Sequence, residues 1–269
     1  MAAFDLAAYL ARLGCPAESL SPDSATLGRL HRHHVQAVPF ENLDVLLGHR
    51  ISTDPTQVFA KLVTARRGGY CFEQNTLFLE ILRQIGFAVT PLLARVRWNV
   101  PPEVRTPLTH MVLRVEIAGA PWLADVGFGG VGTPAPLRLD TDAEQPTSHE
   151  PRRLRWRDGL HVHQVRIGAD WRDVYEFAPT EPAPVDFELG NWFSCTHPRA
   201  MFTHNLVVTR VTPDGRHSIY NREYTWRECS GAATTAPIAS PADLLGLLRE
   251  KFAIDLPAAP RIEIPAAPW

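Results

Sequence analysis

Apolar residues recur at helical spacing through the first third of the chain and at alternating spacing through the middle third. Phe4, Ala7, Ala8, Leu10 and Ala11 form the apolar side of a predicted helix that Gly14 stops. Ser24 is predicted to cap a second helix carrying Leu27, Leu30 and His34 and ending at Val38-Pro39. Asp54-Pro55-Thr56-Gln57 reads as a helix start, with an acceptor at the cap, Pro in the first turn and Gln three residues on. A fourth helix is predicted from Cys71, with Leu77, Phe78, Ile81, Leu82 and Ile85 as its stripe and Gly86 as its end.

Then the period changes. Val89–Val96, His110–Ile117 and Trp122–Val126 read as strands, followed by Leu160–Ile167 and Trp171–Phe177. Pro and Gly clusters between them fit an antiparallel barrel or a sandwich. Thr141–Arg153 is polar and is expected to be a surface loop. Leu206–Val211 and His217–Arg222 are predicted to pair through Pro213-Asp214-Gly215. Ser240-Pro241-Ala242-Asp243 opens a last helix with Leu244, Leu247, Leu248 and Phe252. Helices first, strands next and a mixed segment last make this an α+β chain.

Composition narrows the function. With 45% hydrophobic and 21% charged residues among 269, the chain is globular and not disordered. A net charge of −2 removes the electrostatic case for nucleic acid or an anionic membrane. No apolar run reaches the roughly 18–20 residues that span a bilayer. Met1–Leu10 carries Asp5 and no basic residue, unlike a signal peptide, so the expected location is cytoplasmic. Cys15, Cys71, Cys195 and Cys229 are dispersed without a C-x-x-C pair, which argues against a disulfide framework and a zinc knot. No metal site is expected. His31, His33 and His34 are expected to be solvated, and His161 and His163 to lie on a surface strand. Arg152, Arg153, Arg155 and Arg157 are expected to edge a solvated loop.

One cysteine stands apart. In Arg66-Arg67-Gly68-Gly69-Tyr70-Cys71-Phe72-Glu73, two glycines form a tight turn and a helix follows at once. Cys71 then sits in the first turn, where free N–H groups and the dipole favour a thiolate. Such a nucleophile needs a base and a group to orient it. If Ala118-Gly119 is the turn after the strand that starts at His110, Ile117 pairs with Ala120 and His110 with Gly127. Asp125 becomes the diagonal neighbour of His110, at roughly 7–8 Å between Cα atoms. Asp125 lies among Trp122, Leu123, Ala124 and Val126, where an unpaired carboxylate is costly.

The order Cys71, His110, Asp125 resembles that of papain-like thiol enzymes. Four further elements narrow the likeness. Arg67-Gly68-Gly69-Tyr70-Cys71-Phe72-Glu73, Pro39-Phe40-Glu41-Asn42-Leu43, Asp125-Val126-Gly127-Phe128-Gly129, and Asn191-Trp192-Phe193 with Thr196-His197-Pro198 and Phe202 occur in order. Together they resemble the arylamine N-acetyltransferase family. The resemblance implies an N-terminal helical bundle (1–88), a central antiparallel β-barrel (89–190) and a C-terminal α/β lid (191–269), around a papain-like core. It implies ping-pong acetyl transfer from acetyl-CoA, a co-substrate and not a tightly bound cofactor, to arylamines or arylhydrazines, a xenobiotic-metabolising reaction. Cys71 would be the nucleophile, His110 the base and acid, and Asp125 the group orienting His110. Glu41 and Arg67 would pair behind the turn, and Asn75 would reach Asp125. Phe40, Tyr70 and Phe128 would wall the acceptor site, and Thr109, Gly129 and Phe202 would contact CoA. Gly127, Gly129 and Gly130 would admit a thin pantetheine arm. The assembly is expected to be a monomer or homodimer. Triad order by itself also fits a thiol hydrolase or transglutaminase, and an incomplete triad would fit a binding module.

Overall fold

The structure, a computed structural model, describes residues 4–16 and 20–269. Helix α1 (Leu6–Leu13) starts at Asp5, whose side chain accepts the Ala8 N–H, and ends at Gly14 in the left-handed region. Helix α2 (Ser24–Ala37) is capped by Asp23, which accepts the Thr26 N–H, so Ser24 is the first helical residue and not the cap. Strand β1 (Phe40–Glu41) and helix α3 (Leu43–Leu46) follow. Asp54 caps α4 (Pro55–Phe59) as the sequence predicts, and the chain runs on through a π-turn at Ala60–Thr64. Helix α5 (Cys71–Ile85) ends at Gly86, again left-handed.

Seven antiparallel strands come next: β2 (Ala88–Val96), β3 (Leu108–Ile117), β4 (Ala120–Ala124), β5 (Leu137–Arg138), β6 (Arg152–Arg157), β7 (Leu160–Ile167) and β8 (Asp170–Phe177). Their order is β5-β4-β3-β2-β8-β7-β6, and the edge strands β5 and β6 approach each other, so the sheet curls into a nearly closed barrel. Leu92, Val112, Leu154, Val165 and Val174 fill its interior, and the opposite face of β2 and β3 packs on α5. The barrel, and not a sandwich, is therefore the arrangement. The expected loop 141–153 ends in strand β6, and Arg152 is fully buried inside the barrel, where it donates to the carbonyls of Val131 and Gly132 and to Glu150. A paired arginine at an inward position reads as a loop charge because the Val131 and Gly132 carbonyls that it also meets come from about 20 residues upstream.

Helix α6 (Pro184–Thr196), which the proline-rich sequence hid, packs against β3. The last sheet is β1-β9-β10-β11-β12, with β9 (Val207–Thr212), β10 (Gly215–Tyr220), β11 (Glu223–Glu228) and β12 (Ala233–Pro237). The β9–β10 turn is the predicted Pro213-Asp214 connection, since Thr212 pairs with Gly215. Helix α7 (Pro241–Phe252), capped by Ser240, packs Leu244, Leu248 and Phe252 into this sheet's core with Val208 and Ile219. Because β1 belongs to this sheet, residues 40–41 tie the N-terminal helices to the C-terminal layer. No helix among the described residues is long and apolar enough to cross a membrane.

Candidate active site

The turn that delivers Cys71 is built by the backbone of β1. Glu41 N–H donates to the Gly69 carbonyl and Gly69 N–H to the Pro39 carbonyl. A Cβ on Gly68 would lie 2.3 Å from the Pro39 oxygen, so only glycine fits beneath this strand. Behind the turn sits a half-buried ionic network built around the buried carboxylates of Glu41 and Glu73. Arg67 donates to Glu41 at 2.8 Å and to Asp44 at 3.0 Å, and Lys61 lies 2.7 Å from both Asp44 and Glu73. The Glu41–Arg67 pair is the one expected from the sequence; Asp44 and Lys61 extend it. Glu73 closes the helix start by accepting the Tyr70 N–H at 3.0 Å. Burial pushes its carboxyl up to about 7, against the pull of Lys61.

Cys71 is the first residue of α5 and is buried, its thiol 3.6 Å from the Thr109 carbonyl at the start of β3. His110 follows on β3, and its Nε2 lies 2.8 Å from Asp125 Oδ2. A carboxylate only accepts, so Nε2 carries the proton and Nδ1 is the nitrogen left for Cys71, a hydrogen-bond partner of the ring. Burial opposes charge on His110, but Asp125 outweighs it and raises the imidazole to about 10. Burial likewise opposes charge on Asp125. His110, the Asn75 amide and the Gly127 N–H together hold the carboxyl well below its usual range.

The hairpin explains this pair only in part. Ile117 does pair with Ala120, but the ladder ends at Leu113–Ala124, so His110 and Gly127 are not partners. Asp125 lies past the strand and is held by other elements. Asn75, one turn beyond Cys71, donates to Asp125 Oδ1 at 3.0 Å and to the Met111 carbonyl at 2.8 Å, and accepts the Val126 N–H at 3.1 Å. From α2, His31 Nε2 accepts the Asp125 N–H at 3.3 Å. One amide thus links the helix that carries the thiol to β3, which carries His110, and to the segment after β4 that carries Asp125.

The histidines correct the sequence reading. His31 and His34 are fully buried, held by burial to about 4 and about 3, and His34 bonds the Tyr9 hydroxyl at 2.8 Å. His163 is also buried, inside the barrel, with its ring 4.7 Å from that of Tyr175, which in turn lies 5.0 Å from His110. His161 and His163 stand at i and i+2 of one strand and so share a face, and the sequence carried no signal for which face that was. Tyr175 was missed, and Asn191 was read only as part of a motif and given no role at the site. Asn191 on α6 accepts the Tyr70 hydroxyl and donates to the Ile51 carbonyl.

Of the three expected walls, Phe40 and Tyr70 are core residues, joined through Phe202 at 5.9 and 5.7 Å between ring centroids. Phe128 stands half-buried at 5.1 Å from the His110 ring, so Phe128 and Phe202 carry the accessible aromatic surface. Thr109 is half-buried beside the thiol. Of the three glycines expected to admit a ligand arm, Gly127 lies against Cys71 and Gly129 against the Phe40 ring, whereas a Cβ on Gly130 would meet nothing within 4 Å.

A family model described as N-acetyltransferase matches residues 23–261. The arylamine N-acetyltransferase of Mycolicibacterium smegmatis is 39% identical over 259 residues, covering 94% of this chain and 93% of the relative. The solved arylamine N-acetyltransferase of M. tuberculosis superposes with a TM-score of 0.91 at 35% identity, covering 96% of each chain. That of Mycobacterium marinum, solved in complex with CoA, gives 0.91 at 34% identity over 96% of this chain and 95% of its own.

Proposed function

The chain belongs to the arylamine N-acetyltransferase family, and on that premise we propose that Cys71, His110 and Asp125 carry a two-step acetyl transfer from acetyl-CoA to an aromatic amine or arylhydrazine. The observation that carries the reading is a helix-start cysteine next to a buried His–Asp pair 2.8 Å apart. With its titration raised to about 10, His110 is an imidazolium at neutral pH and favours a thiolate on Cys71. In the first step the thiolate attacks the acetyl carbonyl, a new C–S bond forms, and the bond to CoA breaks. His110 gives its proton to the departing CoA sulfur. Neutral His110 then takes a proton from the amine as its nitrogen attacks acetyl-Cys71. The thiolate leaves and the charged pair is restored. The Cys71 N–H at the start of α5 is the oxyanion donor, and Asp125 keeps the imidazole in one tautomer throughout.

Acetyl-CoA as donor is supported by the CoA complex of the M. marinum relative. Phe128 and Phe202 supply the flat apolar surface that an aromatic acceptor stacks on. Thr109, beside the thiol, and Gly129, on Phe40, border the path of the thioester. The deciding experiment is intact-protein mass after incubation with acetyl-CoA alone. One acetyl group on Cys71, discharged by an added arylamine, is expected. No acetyl adduct, or arylamine acetylation by Cys71→Ala, overturns the mechanism.

A further inference from the structure

Helix α6 carries apolar residues on both sides. On the inner side Gly190 lies against the Leu108 carbonyl and the Phe72 ring, and Phe187 packs on the core around α5. The outer side presents Val185, Leu189 and Trp192 at i, i+4 and i+7, and all three are more than half exposed. Single exposed apolar residues are ordinary, but three along one stripe make a patch. Beside the stripe runs a groove of about 660 Å³, whose other wall is the 50–57 segment. Asn191 ties the two walls by donating to the Ile51 carbonyl at 3.2 Å, so the groove is held open before anything enters it. Two charged side chains face it without a hydrogen-bond or ion-pair partner among the described residues: Arg50 and Glu188, both exposed. Asp54, the third charged group there, is committed to the cap of α4.

One uncommitted charge of each sign is what a surface needs in order to pair with itself. In a two-fold contact residue i of one protomer meets residue j of its partner and j meets i, so an Arg50–Glu188 pairing forms twice. A nucleic acid, an anionic membrane or a strongly charged peptide would engage one sign and set the other against its like. We propose that the outer side of α6 and its groove form an isologous interface between two copies of this chain, with each Trp192 seated in the facing groove and Arg50 opposite Glu188 across the two-fold. A Trp on a patch of this kind is a common anchor of such contacts. A standard interface takes roughly 20–30 residues a side for about 800 Å² per partner. Thirteen residues line the groove, so the contact falls near the total of about 1,000 Å² at which specific interfaces begin, and the dimer is a weak, reversible one. The inference does not rest on the acetyl-transfer reading.

The test is sedimentation equilibrium of the full chain across the micromolar range, in which the parent is expected to pass from monomer to dimer. Leu189→Glu sets a carboxylate in the apolar stripe and is expected to weaken the dimer about tenfold or more. Arg50→Glu and Glu188→Arg each bring like charges together twice and are expected to weaken it by about tenfold as well. The double exchange Arg50→Glu/Glu188→Arg restores opposite signs and is expected to return the dimer to near the parent's affinity. All three positions are exposed, so urea melts at monomer concentrations should match the parent's and report that each variant is folded. A parent that stays monomeric throughout, a dimer indifferent to Leu189→Glu, or a double exchange no tighter than either single variant overturns the proposal.

Discussion

Gly127→Ala is a sharp test of how the thiol and its partners are held in register. Gly127 follows the Asp125 segment and lies against the first residue of α5. A Cβ built there comes within 2.7 Å of Cys71 Cα, 2.9 Å of Asn75 Nδ2 and 3.2 Å of the Cys71 carbonyl oxygen. Ordinary contact begins at 3.4 Å, so the shortfall is about 0.7 Å, and the nearest atom is backbone that no rotamer change can move. The strain must be relieved by sliding α5 away from the 125–127 segment. Overpacking of this kind costs roughly 1–3 kcal/mol. The same slide pulls Asn75 from Asp125 and the thiol from His110, and a displacement approaching 1 Å at reacting groups costs roughly 10–100-fold in rate. Urea unfolding and the single-turnover rate of Cys71 acetylation measure the two effects. Gly28→Ala is the control: no heavy atom lies within 4 Å of its Cβ, and Ala within α2 is expected to add up to about 1 kcal/mol. A Gly127→Ala protein as stable and as fast as the parent would refute the packing argument.

Three further outcomes follow from the same site. Asp125→Asn removes the charge that outweighs burial at His110, so the acetylation rate at pH 7 should fall by roughly 10²–10⁴ in single-turnover mass measurements; a fall under tenfold contradicts the role. Because the His110 titration is raised above its unfolded value, its contribution to stability is complete below about pH 6.5 and is lost as pH rises through about 10. Urea melts of the parent and Asp125→Asn should therefore converge from about pH 6.5 to about 10, and a constant gap argues against the linkage. Glu41→Gln leaves Arg67 with Asp44 as its remaining carboxylate, so the loss should fall near the low end for a broken buried pair, about 3 kcal/mol by denaturant titration; no loss would mean that Glu41 does not brace the turn.

Periodicity and turn chemistry explain why so much of the fold was legible. The stops at Gly14 and Gly86, the Asp54 and Ser240 caps and the Pro213-Asp214 turn are local, and each appears where its residues place it. The elements that were missed have weak local patterns. Helix α6 begins among prolines, and β5 and β12 are short or polar. Burial of polar groups was the commonest misreading. His31 and His34 look like surface residues in sequence because their partners, Asp125 and Tyr9, are remote in the chain, and His163 and Arg152 because polar residues are mostly exposed.

By itself, the sequence determined the identity and order of the chemical groups: a cysteine behind two glycines at a helix start, a histidine opening a strand, and an aspartate after the next turn. It also determined the local forces that start and stop most helices. Only the tertiary structure decided how these groups meet. The ladder that was expected to align His110 with Asp125 ends before reaching them. Asn75 from α5 and His31 from α2 hold the aspartate instead, and both do so with polar atoms removed from water, where each hydrogen bond must find a partner. Such partners lie 50 and 94 residues away in the chain, and only the packing of helices against the barrel brings them within 3 Å or so.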